Sequence, residues 1–286
     1  MIKVEFPRGD DILEHLSIAI KIINNMDQEF KKEKKISLDF SDLEWFIPCS
    51  MILISNKIKE FFEHGALEIK YKAPVKESVR KHMEKIGFPL GKNEDGDSYV
   101  SLKHFKKDKK DKNQINKKVN ELINSIEGKI PCEFGESVKY ILGELSDNID
   151  DHSEFEFASL MAQYFPTKEI LDIAVFDNGI SIPTLFEKHK VSFENDQDAI
   201  KKAVWGEVTT KEHDITRGYG LKTCKKLSIE GLRGELYIIS RKGILRIKSK
   251  DDILLQELSG DILQGTFIYL RLKTPKNKLN IYEFVE

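Results

Sequence analysis

Apolar residues in the first third of the chain follow two periods in turn. They recur near the 3.6-residue spacing of an amphipathic helix after Asp11, after Pro48 and after Pro74. Between these helices, alternating and β-branched residues predict strands at Lys3–Phe6, Ile36–Phe40 and Ala66–Tyr71. Strands separated by helices indicate a small sheet with crossover connections, and we assign residues 1–90 to a small α/β domain.

A second series of elements begins at about residue 131, and we assign residues 131–286 to a second domain of the α/β (α+β) class. A long polar stretch separates its first predicted strand from its second helix. The predicted elements are, in chain order, a helix from about Glu136 to His152, a strand at Ile170–Phe176, a helix that begins near Gly220, a hairpin at Leu236–Ile247 and a strand at Thr266–Leu272.

Residues 91–130 differ from both series. Asn93–Asp97 is typical of a turn, and Ser101–Asn120 is rich in lysine. A lysine run can bind nucleic acid or an acidic partner, but Phe105 is the only aromatic residue in it that could stack on a base. We therefore interpret residues 91–130 as a solvated, lysine-rich linker.

Composition narrows the classes of function. The 46 Lys and Arg residues against 48 Asp and Glu residues give a net charge of −2, which does not predict a nucleic-acid partner. Three scattered cysteines predict neither a disulfide framework nor a structural zinc site. The first residues lack the apolar core of a signal peptide, and no apolar window reaches the ~20 residues of a membrane helix. We expect a soluble cytoplasmic protein without a membrane partner.

A polar stripe lies along the predicted helix that ends at His152. Glu144, Asn148, Asp151 and His152 share one face of this helix. Asn148 offers a neutral oxygen to Mg²⁺, and Glu144, one turn before it, can take a proton from a hydroxyl or a water. The alternative is an exposed polar stripe on an ordinary amphipathic helix.

Three further motifs could bind a nucleotide. Asp177 ends a buried strand and can accept a hydrogen bond from a purine amino group, while Gly179 lets a base approach the backbone; the alternative is a plain turn. Arg217–Lys222 has glycines at a helix start, where backbone N–H groups bind phosphate. Thr266 begins a strand and carries a hydroxyl.

The order of these four motifs resembles that of the N box and the three G boxes of the GHKL ATPase superfamily, over about residues 131–275. This superfamily includes gyrase, heat-shock chaperone ATPases, histidine kinases, mismatch-repair ATPases and anti-sigma serine kinases, and the last group is the most similar in style. The resemblance implies a Bergerat-type α/β sandwich that binds ATP and Mg²⁺ beneath a mobile lid, which would span Leu185–Arg217.

The resemblance also implies a role for each matching residue. Glu144 takes the position of the general base, and Asn148 that of the Mg²⁺ ligand. Asp177 takes the position of the carboxylate that binds adenine, and Gly179 that of the glycine beneath the base. The phosphate loop would contain Gly218, Gly220 and Leu221. Thr266 takes the position of the threonine near the adenine. We add Asp151 and Arg217 to the predicted nucleotide-binding residues.

The sequence departs from the family pattern at one glycine. Ser181 replaces the second glycine of the first G box, which affects the hinge of the lid more than the adenine contact. No G-x-x-x-x-G-K-[ST] motif is present, so the sequence does not predict a P-loop. We interpret His152 as a positioning or core residue, because its spacing from Asn148 matches the end of the N box and not a phosphoacceptor histidine.

The N-terminal third resembles a STAS domain, the fold of anti-sigma factor antagonists. The matching stretch is Ile36–Ser50, a strand followed by a helix start. In that family the helix start carries Asp-Ser-Ser-Gly with a phosphorylatable serine, whereas this chain has Ile47, Pro48, Cys49 and Ser50. The acceptor is therefore absent from the motif. Another small α/β domain remains the alternative.

Three functions are compatible with these features. The first is a regulatory kinase that transfers phosphate from ATP to a hydroxyl of a protein partner, with the N-terminal domain as a docking unit. The second is an ATPase switch in which ATP binding changes the interface of a homodimer. The third is a non-catalytic ATP-binding scaffold. A sensor histidine kinase fits less well, because no membrane segment and no phosphoacceptor helix precede the N box.

Overall fold

The computed structural model describes residues 1–66, 68–91, 95–96, 98–106, 132–208, 220–275 and 279–284. Over these residues the protein is a mixed α/β structure with one parallel and one antiparallel sheet, which confirms the predicted fold class. No helix in this part of the chain combines the length and the apolar composition needed to cross a membrane.

The N-terminal unit is built on a parallel sheet of three strands in the order β1-β2-β3. Helices alternate with these strands, as predicted. Asp11 caps the first helix, because its carboxylate accepts hydrogen bonds from the N–H groups of Leu13 and Glu14 at 3.0 and 3.2 Å. The elements are β1 (Ile2–Lys3), α1 (Ile12–Glu33), β2 (Lys35–Asp39), α2 (Pro48–Glu63), β3 (Glu68–Lys72) and α3 (Glu77–Lys85).

The start of α2 is the position at which the STAS resemblance places a phosphorylatable serine. Cys49 and Ser50 are both buried there. The hydroxyl of Ser50 donates a hydrogen bond to the carbonyl oxygen of Ile47 at 2.9 Å. The hydroxyl of Ser50 therefore makes a structural hydrogen bond inside the core of the N-terminal unit.

The rest of the described chain forms an antiparallel sheet of seven strands with helices on one face. The strands, in the order β4-β5-β6-β10-β7-β8-β9, are β4 (Tyr99–Lys106), β5 (Phe157–Phe165), β6 (Ile170–Asp177), β10 (Leu263–Lys273), β7 (Glu235–Arg241), β8 (Gly243–Ile247) and β9 (Ile253–Glu257). The helices are α4 (Cys132–His152), α5 (Ile182–Lys188), α6 (Asp196–Trp205) and α7 (Gly220–Lys226), which continues as a π-helical turn over Leu227–Gly231; a 3₁₀ turn follows at Ile281–Glu283.

Strand β4 lies within the stretch that the sequence assigns to a linker, so that assignment does not hold for Tyr99–Lys106. This strand pairs with β5 along its length. Its apolar residues Val100, Leu102 and Phe105 are buried, whereas Lys106 forms an ion pair with Glu63 of α2 at 2.5 Å. The lysines hide the strand pattern in the sequence. Most of the lysine run lies outside the described residues.

The two faces of the seven-stranded sheet are covered by different layers. Side chains alternate along each strand, so Val175 of β6 and Ile268 of β10 join the apolar cluster of α4, α6 and α7. Their neighbours Phe176 and Phe267 join the cluster of α1 and α2 instead. The N-terminal unit therefore forms a third layer, packed directly on the sheet.

A chain of buried and part-buried hydrogen bonds joins this third layer to the sheet. Asn56 of α2 accepts a hydrogen bond from the hydroxyl of Ser159 on β5 at 2.5 Å. The same hydroxyl lies 2.7 Å from Nδ1 of His104, whose Nε2 lies 3.0 Å from the hydroxyl of Ser55. Burial, together with the positive charge of Lys59, lowers the pKa of His104 to about 4.

This histidine makes the packing of the N-terminal unit sensitive to acid. Because its pKa is lower in the folded state than in the unfolded chain, its contribution to stability is complete above pH 6.5 and is lost as the pH falls towards 4. We expect the free energy of unfolding to fall by about 3 kcal/mol in total over this pH range. The fall should be smaller in His104→Gln. Urea unfolding at pH 7.5 and pH 5 measures this, with the exposed His189→Gln as control. Equal acid sensitivity of parent and His104→Gln would contradict it.

Candidate functional site

A cavity lies between α4 and the helix-covered face of the sheet, where β6 ends and β10 begins. Its volume is about 120 Å³, comparable to the ~150 Å³ cavity that accepts a benzene ring. The cavity is therefore of the size of one aromatic ring. Its walls include polar side chains from three separate elements and apolar side chains around them, among them Asn148, Ser153, Asp177, Ile180, Leu221 and Thr266.

The carboxylate of Asp177 stands at the polar end of this cavity. Asp177 is the last residue of β6 and is only 4% exposed. Its Oδ1 accepts a hydrogen bond from the N–H of Gly179 at 3.0 Å, and the Ser153 hydroxyl, which donates to the carbonyl oxygen of Ile149 at 2.8 Å, lies close by. Burial nevertheless raises the pKa of Asp177 to about 7. A buried carboxylate that faces a cavity can accept a hydrogen bond from a ligand.

The turn after Asp177 is held against the end of α4. The N–H of Ile180 donates to the carbonyl oxygen of Ser153 at 2.5 Å. A Cβ atom at Gly179 would lie only 1.9 Å from that carbonyl oxygen, so a larger residue does not fit at this position. Asn178 accepts hydrogen bonds from the N–H groups of Glu156 and Phe157 at 3.1 and 2.7 Å. This side chain thus fixes the turn to the start of β5.

Thr266 lies directly beside Asp177, because the two residues are paired across β10 and β6. Both side chains point to the helix-covered face, where both line the cavity. The hydroxyl of Thr266 is 3.0 Å from the hydroxyl of Ser240 on β7. The structure therefore brings together two residues that are far apart in the sequence, and adds Ser240, which the sequence does not suggest.

The polar stripe on α4 meets the start of α7. A Cβ atom at Gly220 would lie 2.5 Å from a carboxylate oxygen of Glu144 and 3.2 Å from Nδ2 of Asn148. Glycine is thus required here by a close approach. The side-chain nitrogen of Asn148 is buried and has no hydrogen-bond partner among the described residues, although Asn148 lines the cavity. A polar atom in this condition is a candidate for ligand contact.

Tyr140 is one helical turn before Glu144. Burial and the neighbouring Glu144 carboxylate raise the pKa of Tyr140 to about 12. The phenol keeps its proton and donates a hydrogen bond to Glu144. The spacing of four residues would have indicated this contact from the sequence, but we did not predict it.

Several predicted site residues are not part of the described cavity. Asp151 is exposed on α4 and does not line it, and its nucleotide contact stays a prediction. Arg217 and Gly218 lie outside the described residues, as does the side chain of His152. Leu221, by contrast, lines the cavity as predicted for the phosphate-loop region.

The predicted lid, Leu185–Arg217, is largely helical where it is described. Asn195 caps α6 by accepting a hydrogen bond from the N–H of Asp198 at 2.9 Å. The guanidinium of Arg241 binds both oxygens of Asp196 at 2.9 Å and ties α6 to β7. The long polar stretch therefore contains helical residues that the sequence analysis did not predict, and its assignment as a lid stays a prediction. Residues 209–217 lie outside the described chain.

Ser181, which replaces a glycine of the family pattern, has a local role. Its hydroxyl accepts a hydrogen bond from the N–H of Thr184 at 3.2 Å and caps α5. The serine therefore starts a helix at the position where the family has a second glycine.

The described residues contain no group of three or more His, Cys, Asp or Glu side chains that could hold a metal ion. A magnesium ion bound with a nucleotide needs only one or two protein ligands, because phosphates and waters complete its shell. The carboxamide of Asn148 lines the cavity and could supply one neutral oxygen ligand of this kind.

A scan of the sequence against protein-family models gives no match, and a search of curated proteins finds no significant relative.

Proposed function

We propose that this protein binds Mg-ATP in the cavity beneath α4 and transfers the γ-phosphoryl group to a hydroxyl of a regulatory protein partner. The observation that carries the proposal is the meeting of two polar groups at one cavity. Asp177, Thr266 and Asn148 line it, and Glu144, which is not among the lining residues, lies beside Asn148 against Gly220. The sequence order of these residues, which resembles that of the GHKL superfamily, supports the same function.

The end formed by Asp177 suits a purine base. A carboxylate accepts a hydrogen bond from an amino group, and the apolar side chains of Ile180 and Leu221 line the same cavity and would contact the ring. The volume of 120 Å³ suits a ring and not a whole nucleotide. The phosphates would therefore extend towards Gly220.

Asn148 is the residue that would hold Mg²⁺, through the oxygen of its carboxamide. The ion would supply charge neutralisation between the phosphate groups. The backbone N–H groups at the start of α7 would contact the phosphates, and Gly220 brings that backbone close to Glu144 and Asn148.

Glu144 would act as the general base. In the transfer, the acceptor oxygen bonds to the γ-phosphorus, the bond from that phosphorus to the β,γ-bridging oxygen breaks, and ADP leaves with the electron pair. The proton of the acceptor hydroxyl passes to Glu144. The hydrogen bond from Tyr140 orients the Glu144 carboxylate for this step.

Calorimetric titration with ATP, with and without Mg²⁺, tests the binding. We expect the parent to bind Mg-ATP more tightly than ATP in EDTA, and Asn148→Ala to lose this difference. Asn25→Ala, an exposed asparagine of α1, is the matched control and should behave as the parent does. Binding that is equally tight with and without Mg²⁺ in the parent would contradict the role of Asn148.

The fate of the phosphate is measured with ATP labelled on the γ-phosphorus, in the presence of native lysate. Label on a protein supports the proposed kinase and gives the partner's mass. Release of free phosphate alone would show that the acceptor is water and not a protein, as in an ATPase switch. Tight binding with neither product would overturn phosphoryl transfer and leave an ATP-binding scaffold.

A further inference from the structure

Three polar side chains form a row across the helix-covered face of the sheet. Thr266 on β10 is paired with Asp177 on β6 at one side and with Ser240 on β7 at the other. Asp177 and Thr266 line the cavity, whereas Ser240 is fully buried behind them. Ser240 can therefore affect a ligand only through its neighbours.

The hydrogen bonds of Ser240 determine which way the proton of Thr266 points. The hydroxyl oxygen of Ser240 accepts a hydrogen bond from the N–H of Ile182 at 2.9 Å. It also lies 3.1 Å from the carbonyl oxygen of Gly265, which can only accept. The single proton of Ser240 is therefore donated to Gly265. In the remaining contact, at 3.0 Å, Thr266 must then be the donor.

This arrangement leaves Thr266 with only lone pairs to present to the cavity. Asp177, when ionised, also presents only lone pairs. Residues paired across two antiparallel strands have Cβ atoms about 5 Å apart, which leaves both acceptors within reach of the two hydrogens of one amino group. The pair Asp177 and Thr266 therefore matches a single –NH₂ group.

We infer that Ser240 is a specificity-determining positioning residue, which makes the site accept a base with an exocyclic amino group and reject one with a keto oxygen in its place. The inference rests on the proposed function and deepens it. A keto oxygen would face two acceptors without a proton between them, whereas an amino group satisfies both. A discrimination of about 100-fold is reasonable for such a mismatch.

The test compares ATP with inosine triphosphate, in which a keto group replaces the amino group, by calorimetric titration at pH 8. We expect the parent to prefer ATP by about 100-fold. In Ser240→Ala the proton of Thr266 is free to point into the cavity, so the preference should fall about tenfold. Part of this change should be tighter binding of inosine triphosphate, which a general loosening of the site would not produce.

Two variants serve as controls. Ser240→Thr keeps the hydroxyl and should retain the parental preference. Ser228→Ala removes another buried hydroxyl, one without a hydrogen-bond partner among the described residues, and should also leave the preference unchanged. If Ser240→Ala does not fold, Ser240→Cys provides the same comparison, because its thiol is a weak donor of similar size.

The outcomes separate the inference from the proposed function. A parent that binds neither nucleotide overturns the proposed function, and the role of Ser240 with it. A parent that prefers ATP, with the same preference in Ser240→Ala, overturns the role of Ser240 alone.

Discussion

Asp177→Asn is expected to lose nucleotide binding while the unliganded protein becomes more stable at pH 8. The cause of both effects is the burial of the Asp177 carboxylate, which raises its pKa from 3.8 to about 7. An asparagine keeps the acceptor for Gly179 but has no charge to bury. Its amide nitrogen cannot accept the hydrogen bond that a base would donate, so we expect affinity for ATP to fall at least 100-fold.

The stability effect depends on pH with a definite sign. A pKa that is raised in the folded state makes the protein most stable below the unfolded value of 3.8, and this stability is lost as the pH rises through 7. The shift of about three units corresponds to at most about 4 kcal/mol. Asp177→Asn should therefore match the parent near pH 4 and exceed it increasingly up to pH 8.

Urea unfolding of the parent and Asp177→Asn between pH 4.5 and pH 8 measures this difference. The control is Asp147→Asn, which changes an exposed aspartate of α4. The opposite dependence of His104 cancels in the comparison, because both proteins contain it. The difference in unfolding free energy between Asp177→Asn and the parent should grow with pH. A constant difference would show that burial does not destabilise the ionised carboxylate of Asp177.

Glu144→Gln is expected to bind Mg-ATP as the parent does and to lose turnover by a factor of about 10² to 10⁴. Glutamine fills the same volume beside Gly220, so the close contact at the start of α7 is retained. It has no basic oxygen that could take the acceptor's proton, and only the proton transfer is lost.

The measurement is the release or transfer of labelled γ-phosphate under single-turnover conditions, beside calorimetric binding. Glu136→Gln, which changes an exposed glutamate two turns earlier on α4, is the control for a loss of charge on this helix. Parental turnover in Glu144→Gln would remove Glu144 from the chemistry. Loss of binding together with turnover would instead indicate that Glu144 organises the phosphate site.

The strong periodic elements could be predicted from the sequence, and the mixed elements could not. The helix that carries Glu144 and Asn148 and the strand that ends at Asp177 have continuous apolar patterns. By contrast, β4 carries lysines between its buried residues, and α6 has only Ala199, Ile200 and Val204 buried among charged neighbours. Their apolar stripes are too narrow to be recognised without the layer against which they pack.

From the sequence, only those residues of the candidate site that belong to local motifs could be predicted. Asp177, Gly179, Gly220 and Thr266 could be identified because each stands beside a strand end or a helix start. The contacts of Ser240 depend on the register of β7 against β10, which no local pattern specifies. Asp151 was included for its helical spacing, but the end of α4 leaves it in solvent.

The covering of the sheet by the N-terminal unit has a consequence for partners. The face that carries Phe176 and Phe267 is already occupied by the chain's own α1 and α2, so another molecule cannot dock there without displacing a whole layer. In the described part of the chain, a molecule that reaches the candidate site therefore approaches from the side of α4 and α7. That is the side on which Glu144 and Gly220 meet, so the N-terminal unit and the candidate chemistry occupy opposite sides of the sheet.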